Sequence, residues 1–168
     1  WTNASKEGGW TPKWSSPGYR ACMIGTHLDA VFADAYVKGI CDFDIESAYQ
    51  AMYKNATEVG DEAGNYGRRG IEEFDELGYV PADKIDHAAS RTQDFAYNDY
   101  CVAQIAKALG KQDDYERFIK RASYYRNTFD PNVDFMRGRN TDDSWQDPFN
   151  EFAWGGAFIE GSAWQCGW

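Results

Sequence analysis

Apolar residues recur along this chain at three- and four-residue steps, the spacing of a helix face rather than of a strand. The first run predicts a helix over Ala21–Lys38, with Ile24, Leu28, Val31, Phe32, Ala35 and Tyr36 aligned and Gly39 ending it. Asp44 is placed to cap a second helix to Thr57, with Ile45, Ala48, Tyr49, Met52 and Ala56 on one face. After the loop GDEAGNYG, a short helix from Arg68 to Leu77 stops at Gly78 and points Ile71 and Phe74 inward. A turn around Pro81 follows. Ser90, with Gln93 three residues on, resembles a capping box opening a long helix to Leu109. Its apolar face carries Phe95, Val102, Ile105, Ala106 and Leu109. Asp113 or Asp114 caps the next helix, which aligns Tyr115, Phe118, Ile119, Ala122 and Tyr125 and ends at FDP. Residues 1–20 carry Gly and Pro among three Trp and predict an ordered loop. Residues 130–157 show turn residues and aromatics without a period, and a further helix is expected near Glu160.

Two helix pairs recur, one from Asp34 (DAYVKGICDFDIESAY) and one from Asp99 (DYCVAQIAKALGKQDDYERF). In each, a mostly apolar helix passes through a Gly turn to a more polar helix with acids at its start. That is the pattern of an inner helix followed by an outer one, as in stacked helical hairpins or an α/α toroid. The predicted class is all-α, built of antiparallel helical hairpins.

Composition narrows the function classes. The 168 residues are 43% hydrophobic and 17% aromatic, enough for one packed core. Flat aromatic side chains are core material first and platforms for sugar rings second. A net charge of −10 disfavours nucleic acid and anionic membrane surfaces, whose recognition relies on Lys and Arg. No apolar run is long enough to span a bilayer. Cys22, Cys41, Cys101 and Cys166 form no C-x-x-C pair and lie near no His at ligand spacing. Two of them, Cys22 and Cys101, fall in helical patterns and read as small buried residues. The chain opens on WTNASKEGGW with no leader-like start and stops on Trp168, so it is expected to be an internal segment of a longer protein.

The candidate chemistry is sparse. His27 and His87 sit in no G-x-S-x-G context, so a serine hydrolase is not supported. His27 reads as a hydrogen-bonded core histidine or, more sharply, as a substrate contact at the mouth of a helical barrel. DFDIES begins like an EF-hand but lacks the Gly and the twelfth-position Glu, so it reads as a helix cap. Arg68 and Arg69 are expected to pair with Glu72 and Glu73, and Arg91 with Asp94. Glu160, among Phe158, Ile159, Trp164 and Trp168, would be partly desolvated, and desolvation raises a carboxyl pKa as general acid catalysis requires. On composition alone, a carboxylate satisfied by backbone N–H groups at a helix start is the better reading.

Several stretches together change that balance. GGWTPKW, CMIGTHLDAVFADAYVKGICDFDIESAY, GRRGIEEFDELGYVPAD, SRTQDFAYNDYCVAQIAKALGK, RASYYRNTFDP, FMRGR and EGSAWQ follow one another in an order that resembles glycoside hydrolase family 92, the calcium-dependent exo-α-mannosidases. The resemblance implies part of an (α/α)6 toroid over residues 1–168. It also implies an inverting mechanism, in which a carboxylic acid and a carboxylate base lie roughly 6.5–9.5 Å apart. The family's EGNAWQ motif carries the general acid, and its Glu falls on Glu160. Trp164 and Gln165 match the same motif and would support or line the pocket, with His27 and Asp94 as further substrate contacts. Ser162 stands where the family usually has Asn, Cys166 where it has Tyr, and Asp94 where it has Glu. The resemblance further implies that the calcium ligands, the Asp base and an N-terminal β-sandwich lie outside this segment. It makes mannose-containing glycans with terminal α-1,2 linkages the expected substrate and a secreted or periplasmic location the expected one. The alternatives are another α/α-toroid glycosidase and a non-catalytic helical repeat module that binds a partner.

Overall fold

The computed structural model describes residues 1–13 and 19–167. Six α-helices run in order: α1 (Thr2–Gly8), α2 (Leu28–Val37), α3 (Ile45–Thr57), α4 (Ile71–Leu77), α5 (Ala88–Ala108) and α6 (Gln112–Arg121). A 3₁₀ turn, Tyr124–Thr128, leads into β1 (Phe129–Asp130), which pairs antiparallel with β2 (Phe135–Met136). The chain is thus mostly helical, as expected, with one small hairpin inside the region that lacked a period.

Local signals placed some boundaries well. Asp44 caps α3, its carboxylate accepting from the Ser47 N–H at 3.0 Å and the Ser47 hydroxyl at 2.8 Å. Gly78 closes α4 at φ 79°, a left-handed conformation that glycine adopts without a Cβ clash. Other expectations fail. Residues 1–20 are not all loop, because Thr2–Gly8 is helical and packs on α3. Trp14, Pro17, Gly18 and Trp168 lie outside the described residues. The first long helix begins at Leu28, not Ala21, because the Thr26 N–H is drawn to Asn98 Oδ1 of α5 at 2.9 Å. Cys22 is therefore exposed in a turn, whereas Cys101 is buried as expected, and Val31 faces outward. Asp113 and Asp114 occupy the first turn of α6 without capping it; Asp114 instead accepts from the Tyr49 hydroxyl at 2.6 Å. No α-helix begins at Glu160, where the chain makes a series of bends before a 3₁₀ turn at Gln165–Gly167.

Helix α5 is the hub. Its Cys101, Val102, Ile105 and Ala106 share one core with Leu28 and Phe32 of α2, Tyr49 and Met52 of α3, and Phe118 of α6. Its first half joins a second core with Ile71 and Phe74 of α4, where Phe74 meets Phe95 edge-on at 5.5 Å between centroids. Ala89 joins a third with Ala157, Phe158 and Ala163. Only Phe118 and Arg121 of α6 are buried, so α5 and α6 have the inner and outer character that their sequences suggested.

A buried ionic network crosses these cores. Arg68, fully buried, donates to Asp29 Oδ2 at 3.1 Å, Asp99 Oδ1 at 2.5 Å and Thr26 Oγ1 at 3.0 Å. Arg121 Nε donates to the other Asp99 oxygen at 2.7 Å, and its Nη1 reaches Asp75 at 2.9 Å. Thr11 and Thr26 hydroxyls complete Asp29 at 2.7 and 2.6 Å. Burial works against the charge on Arg68, but Asp99 and Asp29 outweigh it and its pKa is raised. The expected pairing of Arg68 and Arg69 with Glu72 and Glu73 is replaced: Arg69 pairs with Asp86 at 3.1 Å.

Candidate active site

Glu160 sits on a turn whose ends are tied by a backbone bond from the Gly155 N–H to the Gly161 carbonyl, at 2.9 Å. Its φ of 51° is left-handed, an uncommon state for a residue with a Cβ. Such conformations persist where the surroundings over-determine them, and they cluster at functional sites.

The surroundings here are the start of α5. The N–H groups of Ala89 and Ser90 both donate to the Ala157 carbonyl, at 3.0 and 3.2 Å, and the His87 N–H donates to Gly156 at 3.1 Å. These are helix-terminal donors that have no partner within the helix. Ser90 does not form the expected capping box, since α5 starts two residues earlier; its hydroxyl accepts from the Ile159 N–H at 3.1 Å. Downstream, Gln165 Oε1 accepts from the Ser162 N–H at 3.0 Å, bracing the turn beyond Glu160. The Trp164 backbone N–H donates to the carbonyl of Glu151, in a preceding turn, at 2.9 Å. Its ring leans on Phe152 and Phe135, at 5.3 and 5.9 Å between centroids. Phe158 is buried, but Glu160 is exposed in this chain, so the expected desolvation is not supplied by these residues.

The second candidate group is also anchored on α5. His27 precedes α2, and its Nε2 lies 3.5 Å from Asp94 Oδ2. The hydrogen bond to Asp94 raises the imidazole pKa, against an opposing effect of partial burial. Gly25 makes this approach possible: a Cβ there would lie 2.7 Å from His27 Cε1 and 3.0 Å from Asp94 Oδ2. The expected Arg91–Asp94 pair is not formed, because Arg91 turns to Asp86, with Nη2 at 3.2 Å from Oδ1. The structure thus groups His27 with Asp94 of α5, and sets Gln165 against the turn that follows Glu160. Burial, and then the charge of Asp94, raise the pKa of Cys166.

Sequence reasoning misjudged the role of Ser90 and missed Gly25 and Lys13. Lys13 is buried and donates to the Gly64 carbonyl at 3.0 Å. Its pKa is lowered to about 8, first by burial and next by Arg91. Nothing in the local pattern of GGWTPKW marks that lysine as buried.

Among the described residues, no group of three or more His, Cys, Asp or Glu comes together to hold a metal ion. The calcium that the resemblance implied therefore does not fit the residues present, and no chemical step is derived through it. No described helix is long and apolar enough to cross a membrane.

Glu160 thus stands on a braced turn carried by a mostly helical scaffold. The chain belongs to glycosyl hydrolase family 92, whose catalytic-domain model matches residues 1–168. It is similar to an inverting mannosidase of this family from Bacteroides thetaiotaomicron, with 40% identity and a TM-score of 0.92 over 97% of this chain and 22% of that one. A family 92 α-mannosidase of the same organism, solved with mannoimidazole, is 40% identical with a TM-score of 0.78, over 88% of this chain and 20% of that one. A secreted glycosidase of Arthroderma benhamiae, itself uncharacterized, is 35% identical over 127 residues, 70% of this chain and 16% of that protein. The chain thus spans about a fifth of the length of these solved relatives.

Proposed function

We propose that this chain is the acid-bearing part of the catalytic domain of an inverting exo-α-mannosidase, within an (α/α)6 toroid completed by other segments. The observation that carries the reading is the left-handed, externally braced backbone of Glu160, in a chain matched end to end by the family's catalytic domain. Glu160 gives its proton to the glycosidic oxygen as the bond from that oxygen to the anomeric carbon breaks. Water adds to the anomeric carbon from the opposite face and loses its proton to a carboxylate base. That base and the calcium ligands are assigned to residues outside this chain. His27 and Asp94 hydrogen-bond the sugar, while Trp164 and Gln165 shape and hold the turn. A solved relative's complex with mannoimidazole supports a mannose-containing glycan as substrate. Terminal α-1,2 linkages are the proposed target and secretion or the periplasm the proposed location; the name of the Arthroderma relative agrees with secretion.

The test is Glu160→Gln in the full-length protein. Protonation matters most when the departing alcohol is a poor leaving group, and general acid catalysis contributes roughly 10²–10⁴-fold. Hydrolysis of a mannobiose is therefore expected to fall by about that factor, and hydrolysis of an activated aryl mannoside far less. Equal losses on both substrates would remove Glu160 from the role of acid.

A further inference from the structure

We propose that Ser90 is the positioning residue for the catalytic acid: its hydroxyl, on the first turn of α5, fixes the Phe158–Ile159 peptide, one peptide before that of Glu160, and so sets where the carboxyl points. The inference rests on the assignment of Glu160 as proton donor.

Three observations converge on it. Ser90 is only 7% exposed, and its Oγ accepts from the Ile159 N–H at 3.1 Å across 69 residues of sequence. The carbonyls of Gly156 and Ala157 are held by the N–H groups of His87, Ala89 and Ser90, so the approach to the turn is pinned as well. Between the Ser90 contact upstream and the Gln165 contact downstream, Glu160 is held in a left-handed conformation that an unsupported residue would leave. The backbone carbonyls alone fix where the loop docks. The side chain of Ser90 fixes the N–H of Ile159, the residue before the acid, and alanine offers no oxygen to replace it.

Position matters more for proton transfer than for binding. A general acid must sit within hydrogen-bond reach of the leaving oxygen, and a misplacement of about 1 Å can cost on the order of a hundredfold. The sugar in the reacting subsite is held by other groups, so a turn loosened at Ile159 leaves affinity nearly intact.

The experiment compares S90A with the parent in the full-length protein on two substrates, a mannobiose and an activated aryl α-mannoside. With S90A, kcat on the mannobiose is expected to fall about ten- to a hundredfold and kcat on the aryl substrate by less than about threefold, with KM nearly unchanged. The quotient of the two kcat values from one preparation cancels any loss of folded protein, so a merely structural role would leave it unmoved. An unchanged quotient overturns the proposal. If S90A does not accumulate, S90C, whose thiol is only a weak acceptor, reads the same quotient. E160Q, run in parallel, separates the two claims. A skewed quotient in E160Q with none in S90A overturns the positioning role alone. No skew in E160Q overturns the acid and the positioning role together.

Discussion

Replacing Asp99 by Asn tests how the helices are locked together. Asp99 is fully buried and serves two guanidiniums, Arg68 at 2.5 Å and Arg121 at 2.7 Å. Asparagine keeps the shape but removes the charge, and it turns an N–H₂ group toward one of the two arginines. Two buried cations then share a neutral partner, with only Asp29 and the more exposed Asp75 left to offset them. Breaking a buried ion pair from one side costs about 3–5 kcal/mol, because the surviving charge stays buried and uncompensated. Hydrogen exchange of α5 peptides, followed by mass spectrometry, reads this locally whatever else the protein contains. Where exchange follows the opening equilibrium, the protected amides of α5 should exchange faster by roughly two to three and a half powers of ten. The loss should change little between low salt and about 1 M salt, where the screening length is only about 3 Å, because water and ions do not reach the pair. A change within about threefold, the scale of a surface substitution, would refute the reasoning.

Other perturbations follow from the His27–Asp94 pair. Because the hydrogen bond to Asp94 raises the folded-state pKa of His27, its contribution to stability is fully present below the unfolded value of 6.5 and is lost as pH rises through the raised folded value. Asp94→Asn should bring the His27 titration, followed by NMR of its ring protons, back down; an unmoved midpoint would contradict the pairing. Gly25→Ala should do the same by wedging the pair apart, with less than about 1 kcal/mol lost because the displaced atoms are side-chain tips that can swing aside. A drop in stability without a change in the titration would contradict it. Chelation of calcium should abolish mannoside hydrolysis by the full-length protein and added calcium restore it; undiminished activity in chelator would remove calcium from the proposal.

What could be read from the sequence divides by the range of the interaction. Asp44 and Gly78 mark helix ends with bonds that span a few residues, and both were legible. The start of α2 was not, because Thr26 answers to Asn98, 72 residues away. Arg68 was misread for the same reason: its carboxylates come from 31 and 39 residues away, and nearby Glu72 and Glu73 were the visible but wrong partners. The helical class and the α5–α6 pair survived, since amphipathic spacing is a local property that long-range contacts rarely reverse, whereas α2 and α3 each pack chiefly on other helices. Glu160 was singled out by the EGSAWQ motif and not by its own surroundings, whose apolar look suggested a burial that this chain does not provide. Its left-handed backbone and its tether to Ser90 depend on a helix 70 residues upstream and leave no local mark.

That tether also orders events in time. The His87, Ala89 and Ser90 donors of α5 are filled by residues 156 and 157, and the Ser90 hydroxyl by Ile159, 69 residues later. During synthesis at roughly 5–20 residues per second, the head of α5 waits about 3–14 s for its partners to emerge. Until then, the helix that carries Asp94 has an open end, and any pocket built on it is incomplete. The segment bearing Glu160 is thus also the one that closes the head of α5.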